Sequence, residues 1–143
     1  MSIHTPVRDR LLGCWRLISY QTQHASGEMS YPLGEDPLGQ LGYDACGRMS
    51  AHLMRRAPEP FADKNLFAAQ STEKSRAWSG YMGYWGTFTV DEAAHKVNHH
   101  VEGAWFPNMV GTAQVRDYRF DGDLLTLSAV TEAWSARLVW QKI

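Results

Sequence analysis

The sequence predicts an all-β chain: an antiparallel up-and-down barrel of about eight to ten strands, with a short N-terminal helix and a small helical insertion. Three observations lead there. Apolar and polar residues alternate with a period of two in about nine short segments, and turn-length spacers separate most of them. Helix-forming composition is confined to two stretches, the first residues and roughly 56–80. Six Trp, six Tyr and five Phe in 143 residues can fill a core and line a pocket for an apolar ligand. Closing the sheet into a barrel buries them and removes exposed strand edges.

Each element has a local reason. Thr5 suits an N-cap, Pro6 the first helical position, and Leu11 with Leu12 an apolar side, so a short helix is expected over 6–12 with Gly13 ending it. From Trp15 the period becomes two. Trp15, Leu17 and Ser19 fall on one face and Arg16, Ile18 and Tyr20 on the other. An extended segment over 27–33, punctuation at 34–37 and a strand over 38–43 follow, and Cys46-Gly47 turns the chain into a strand over 48–54. Two prolines in RRAPEPF then break the pattern, and ADKNLFAAQSTEKSRAW favours short helices, the second capped by Ser71. Strands resume at Tyr84, over 85–90, 96–103, 112–120, 124–129 and 136–142, with Asp121-Gly122 the strongest hairpin signal.

A chain of 143 residues forms one domain spanning 1–143. With 14 Lys plus Arg against 15 Asp plus Glu, and no run of five like charges, nothing in it resembles a nucleic-acid footprint. The N-terminal residues lack a signal-peptide core and no window reaches membrane-span length, so a cytoplasmic protein that does not enter membranes is expected. Cys14 and Cys46 are too far apart for a metal motif; both are expected to be reduced and to act as small buried apolar side chains. No cofactor is implied, and a homodimer stays open.

The chemistry-bearing residues gather around KVNHHVEGAWFPN. Joining 90 to 97 through the turn DEAAHK sets Val90 opposite Val97, Phe88 opposite His99 and Gly86 opposite Val101. His99 therefore shares the apolar inner face, while Asn98, His100 and Glu102 point away. Successive strand residues face opposite ways, so His99 and His100 do not form a metal site. Folding back at Asp121-Gly122 sets Tyr118 opposite Leu125 and Arg116 opposite Leu127, which places a guanidinium on an apolar face, where it needs a polar partner or ligand. Tyr84 lies on the face of Phe88 and His99 and is the nearest hydroxyl for a buried imidazole. Parity leaves His52 as either a cavity or a surface residue. The stretch 104–111 interrupts the strands as a lid or corner carrying Trp105, Phe106 and Asn108, and Phe88, Trp140 and Tyr43 complete the expected ligand wall.

Gly13-Cys14-Trp15, a Gly-x-Trp opening the first strand after a short helix, resembles the lipocalin signature. Together with YPLGEDPLGQLGY, GRMSAHLMR, YWGTFTVDE, VNHHVEGAWFPNMVGT and LVWQKI it makes residues 11–143 resemble the bacterial lipocalin-like domain family. The resemblance implies a lipocalin-like barrel, usually a stand-alone cytoplasmic domain, whose signature Trp15 closes the base beneath a basic residue of the last strand, here Arg137 or Lys142. Related calycin-type barrels include carriers, haem binders and a few cyclases, isomerases and lyases. The leading expectation is binding of a small, mostly apolar organic molecule, with His99, Tyr84 and Arg116 as polar contacts. A cofactor-independent acid–base isomerase, cyclase or lyase using the same three residues is the second. A haem binder with His99 or His100 as axial ligand is the third.

Overall fold

The computed structural model describes residues 4–143. Its strands are β1 (Gly13–His24), β2 (Met29–Ser30), β3 (Leu38–Tyr43), β4 (Arg48–Met54), β5 (Tyr81–Asp91), β6 (Lys96–Ala104), β7 (Ala113–Asp121), β8 (Leu124–Val130) and β9 (Trp134–Lys142). Two helices, α1 (Val7–Leu11) and α2 (Ser71–Ser79), and 3-10 turns at Leu66–Ala68 and Pro107–Met109 complete it. β1 and β3 to β9 pair antiparallel in sequence order, and β9 returns to β1 along its length, from Trp15↔Lys142 to His24↔Trp134. The result is a closed eight-stranded barrel. β2 adds two residues beside Thr22 and Gln23 of β1; the rest of the expected 27–33 segment is turn and irregular chain, where Gly27 takes φ +91° and Gly34 φ +86°.

Side chains alternate inward and outward around the ring. Trp15, Leu17, Leu41, Met49, Ala51, Leu53, Val97, Leu125, Leu127 and Trp140 form the buried interior. Helix α1 is too short to persist alone. It is held as a plug: Val7 and Leu11 are buried, and Trp15 Nε1 donates to Leu11 O at 2.8 Å, satisfying a carbonyl of its last turn. Arg10 lies 4.0 Å over the Phe120 ring. The basic residue on the signature tryptophan is Lys142, whose Nζ sits 4.6 Å over the Trp15 ring and donates to Leu12 O; Arg137 is exposed farther along β9. The same amine explains Gly13, which has φ +118° and where a Cβ would fall 2.7 Å from Nζ.

Four local expectations change. Thr5 does not cap α1; Pro6 is the flanking residue and no side chain caps it. Gln70, not Ser71, caps α2, exchanging hydrogen bonds with Glu73 in a capping box. The β7–β8 hairpin turns at residues 122–123, so Asp121 pairs with Leu124 and Tyr118 with Leu127, two residues from the expected register. Gly122 supplies the positive φ, +59°, at the first turn position. Because the slip is even, Arg116 keeps its inward face. In β1 the pairing steps from Leu17↔Trp140 to Ser19↔Val139, leaving Ile18 as an unpaired bulge residue. Parity inverts beyond it and Tyr20 points into the barrel instead of away.

Both cysteines are free but exposed, Cys14 on the outer face of β1 and Cys46 in the turn before β4, so neither is the buried apolar side chain expected. Among the described residues no helix is long and apolar enough to cross a membrane.

Candidate functional site

The upper half of the barrel is hollow. A cavity of about 490 Å³ opens at the end where β5, β7 and β9 begin, within the range of small-molecule sites. Its wall is apolar and aromatic: Leu41, Ala51, Leu53, Leu127, Ala136 and Trp140 rise from the strands. Trp105, Phe106, Asn108 and Met109 of the β6–β7 connection lean over the mouth. Trp78 of α2 packs on that lid, 6.1 Å from the Trp105 ring and 6.4 Å from Phe106. The helical insertion thus braces the mouth although none of its residues is buried.

The polar groups converge at one place. His99 is 1% exposed, its ring held between two tyrosines, with Nε2 2.6 Å from the Tyr43 hydroxyl and Nδ1 2.6 Å from the Tyr84 hydroxyl. Burial, and then the nearby Arg116 cation, push its pKa down to about 3, so the imidazole is neutral. A neutral imidazole has one donor and one acceptor. The Tyr43 hydroxyl lies behind the wall with no other partner among the described residues, so its proton goes to Nε2. Nδ1–H then donates to Tyr84, and the Tyr84 proton is left free to point into the cavity. Burial raises Tyr84 to about 12 and Tyr43 well above its usual value, so both stay protonated.

Arg116 enters from β7, half-buried, donating to Gln114 Oε1 at 3.2 Å and to Val115 O at 3.0 Å. Trp140 Nε1 is buried with no hydrogen-bond partner among the described residues. Such an orphaned donor costs about 1–3 kcal/mol.

The sequence-derived residues divide by position. His99, Tyr84, Arg116, Trp105, Asn108 and Trp140 line the cavity. Tyr43 and Phe88 do not. They stack edge-on at 4.7 Å nearer the α1 end, where the interior is filled, and Tyr43 reaches the site through His99. His52 is exposed, since Ala51 and Leu53 take the inward positions of β4, and its Nδ1 lies 2.6 Å from the Tyr81 hydroxyl. His100 also faces outward, 2.8 Å from Thr89 Oγ1. Sequence reading missed Tyr20, Gln114 and Trp134 on the wall. Gln114 alternates with Arg116, and Trp134 with Ala136, so both were within reach of parity; Tyr20 was hidden by the bulge.

A family model described as a lipocalin-like domain matches residues 12–143. A relative from Aspergillus oryzae (strain ATCC 42149 / RIB 40), named 4'-hydroxy-3'-methoxypropiophenone carrier protein ppsC, is 34% identical over 88 residues, covering 57% of this chain and 79% of the relative. The closed eight-stranded barrel, its plugged base with Lys142 over Trp15 and the match over nearly the whole sequence agree, and the chain belongs to the lipocalin-like domain family.

Proposed function

We propose that this chain is a cytoplasmic carrier, one self-contained barrel that holds a small aromatic ketone or phenol in its cavity. The observation that carries this reading is the cavity: about 490 Å³, walled by apolar and aromatic side chains, with its polar groups gathered around His99, Tyr84 and Arg116. The carrier name of the fungal relative supports the class of guest. Flat rings stack on Trp105 and Trp140, and a carbonyl or hydroxyl oxygen accepts from Tyr84.

Burial of these polar groups favours binding over acid–base catalysis. A catalytic base works best with a pKa near the working pH. His99 at about 3 and Tyr84 at about 12 lie far on either side of neutrality, which suits fixed hydrogen bonding rather than proton transfer. Haem ligation by His99 would require breaking one of its two tyrosine bonds, and His100 lies outside the cavity.

Titration with 4'-hydroxy-3'-methoxypropiophenone and a series of simpler aryl ketones and phenols tests the proposal, because Trp105, Trp134 and Trp140 line the cavity and report binding by fluorescence quenching. Saturable quenching is expected, weakened about tenfold by Tyr84→Phe and abolished by Ala136→Trp, which fills the space. Absence of saturation with every compound up to millimolar concentration would overturn the carrier reading.

A further inference from the structure

The formal charge lining the cavity is one-sided. Tyr84 presents a free O–H, because its oxygen already accepts from His99. Arg116 is the one charged side chain among those lining the cavity, and no Asp or Glu lines it. The adjacent Asp117 turns outward and is held by Lys96 at 2.6 Å. Among the described residues no carboxylate lies within ion-pair distance of Arg116, whose partners are an amide oxygen and a backbone carbonyl. A half-buried guanidinium so placed, beside a tyrosine hydroxyl and an apolar wall, has no counter-charge among the described residues. What completes it is negative charge on the guest.

Building on the carrier reading, we propose that the cavity binds its aromatic guest as an anion, with an ionised phenol or carboxylate oxygen at Arg116 and the Tyr84 hydroxyl beside it. A guanidinium–oxyanion contact is charge-assisted and stronger than its neutral counterpart, so the ionised form outcompetes the neutral one. The titratable groups facing Arg116 are Tyr20 from β1, Tyr84 from β5 and His99 from β6, with Tyr43 of β3 behind. The tyrosines are all raised by burial and His99 is held neutral, so none of these four changes charge between pH 5 and pH 9 as ~limits. Any pH dependence of binding in that window, in this cavity, reports the guest's own ionisation.

The test uses the full chain and two matched pairs: 4'-hydroxy-3'-methoxypropiophenone with its 4'-O-methyl ether, and trans-cinnamate with cinnamamide. An acyl phenolate absorbs at longer wavelength than the phenol, so difference spectra report the charge of the bound molecule directly. Below the free phenol's pKa, the phenolate band is expected to appear on binding, and the ionisable member of a pair to bind about tenfold or more tightly than its neutral partner. Arg116→Gln, with its fold checked by circular dichroism, removes both effects; if that variant does not fold, the spectrum of the guest bound to the unaltered chain still decides. A preference shown by cinnamate alone assigns the anion to a carboxylate, and one shown by the phenol alone to a phenolate. Equal binding within both pairs, with the phenol bound in its neutral form, would overturn the anionic guest and leave the carrier standing. Failure of all four and of the simpler aryl ketones and phenols to bind would overturn both.

Discussion

At one end of the barrel three short turns, residues 44–47, 92–95 and 122–123, join the strands, and α1, Trp15 and Lys142 seal the interior. At the other, three longer connections run over 31–37, 55–80 and 105–112 beside one short turn at 131–133, and Trp78, 52% exposed, and Phe106, 40% exposed, stand at the mouth of an unfilled cavity. The sealed end spends its aromatic residues on packing, the hollow end on a wall and a lid. Stability and recognition are thereby separated along the barrel axis, and damage at one end should leave the other largely intact.

The strongest way to break that separation is a pair of truncations. Trp15→Ala removes a ring 3% exposed and its bond to Leu11, and should cost about 3–5 kcal/mol in denaturant unfolding. Trp105→Ala should cost under ~1 kcal/mol while weakening aryl-ketone binding about tenfold. If the two variants lost stability equally, the ends would not be independent.

His99 sits between the two regions, and its burial makes a pH prediction. Its folded pKa of about 3 is below the ordinary 6.5, so the unfolded chain binds the extra proton first. The stabilising contribution is complete above pH 6.5 and is lost as the pH falls toward 3. Lowering the pH from 6.5 to 5 should cost ~2 kcal/mol of unfolding free energy, measured by urea unfolding at each pH. A flat profile for this chain, or one unchanged in a folded His99→Gln variant, would contradict the buried neutral imidazole. His100→Ala, one residue away on the outer face, should change stability by under ~0.5 kcal/mol and leave quenching titrations unaltered.

The β5–β6 hairpin was readable in the sequence because its turn and its alternation agree, and Phe88↔His99 is the observed pair. Arg116 was placed inward by a register wrong by two, since an even error preserves the face. Depth along the barrel was not readable. Alternation says that Tyr43, Phe88 and Trp140 point inward, but whether a neighbour fills the space beside them depends on where α1 docks and where the lid folds. The bulge at Ile18 left no mark in the alternation, because Ile18 and Ser19 suit either face. Cys14 and Cys46 show the limit of propensity: the type is often buried, yet an outward strand position and a turn expose them.

The unpaired Ile18 bears on how barrels of this kind diversify. A substitution in the wall alters one side chain, whereas gaining or losing a residue in mid-strand, unless a bulge absorbs it, exchanges the inner and outer sets for everything that follows. In β1 the residues before the bulge, Trp15 and Leu17, belong to the sealed base, and Tyr20 after it belongs to the wall. A single insertion or deletion at that point can therefore rewrite the guest-facing part of the strand in one genetic step while the base keeps its packing, which makes chain length at position 18 a variable on which selection for a new guest can act.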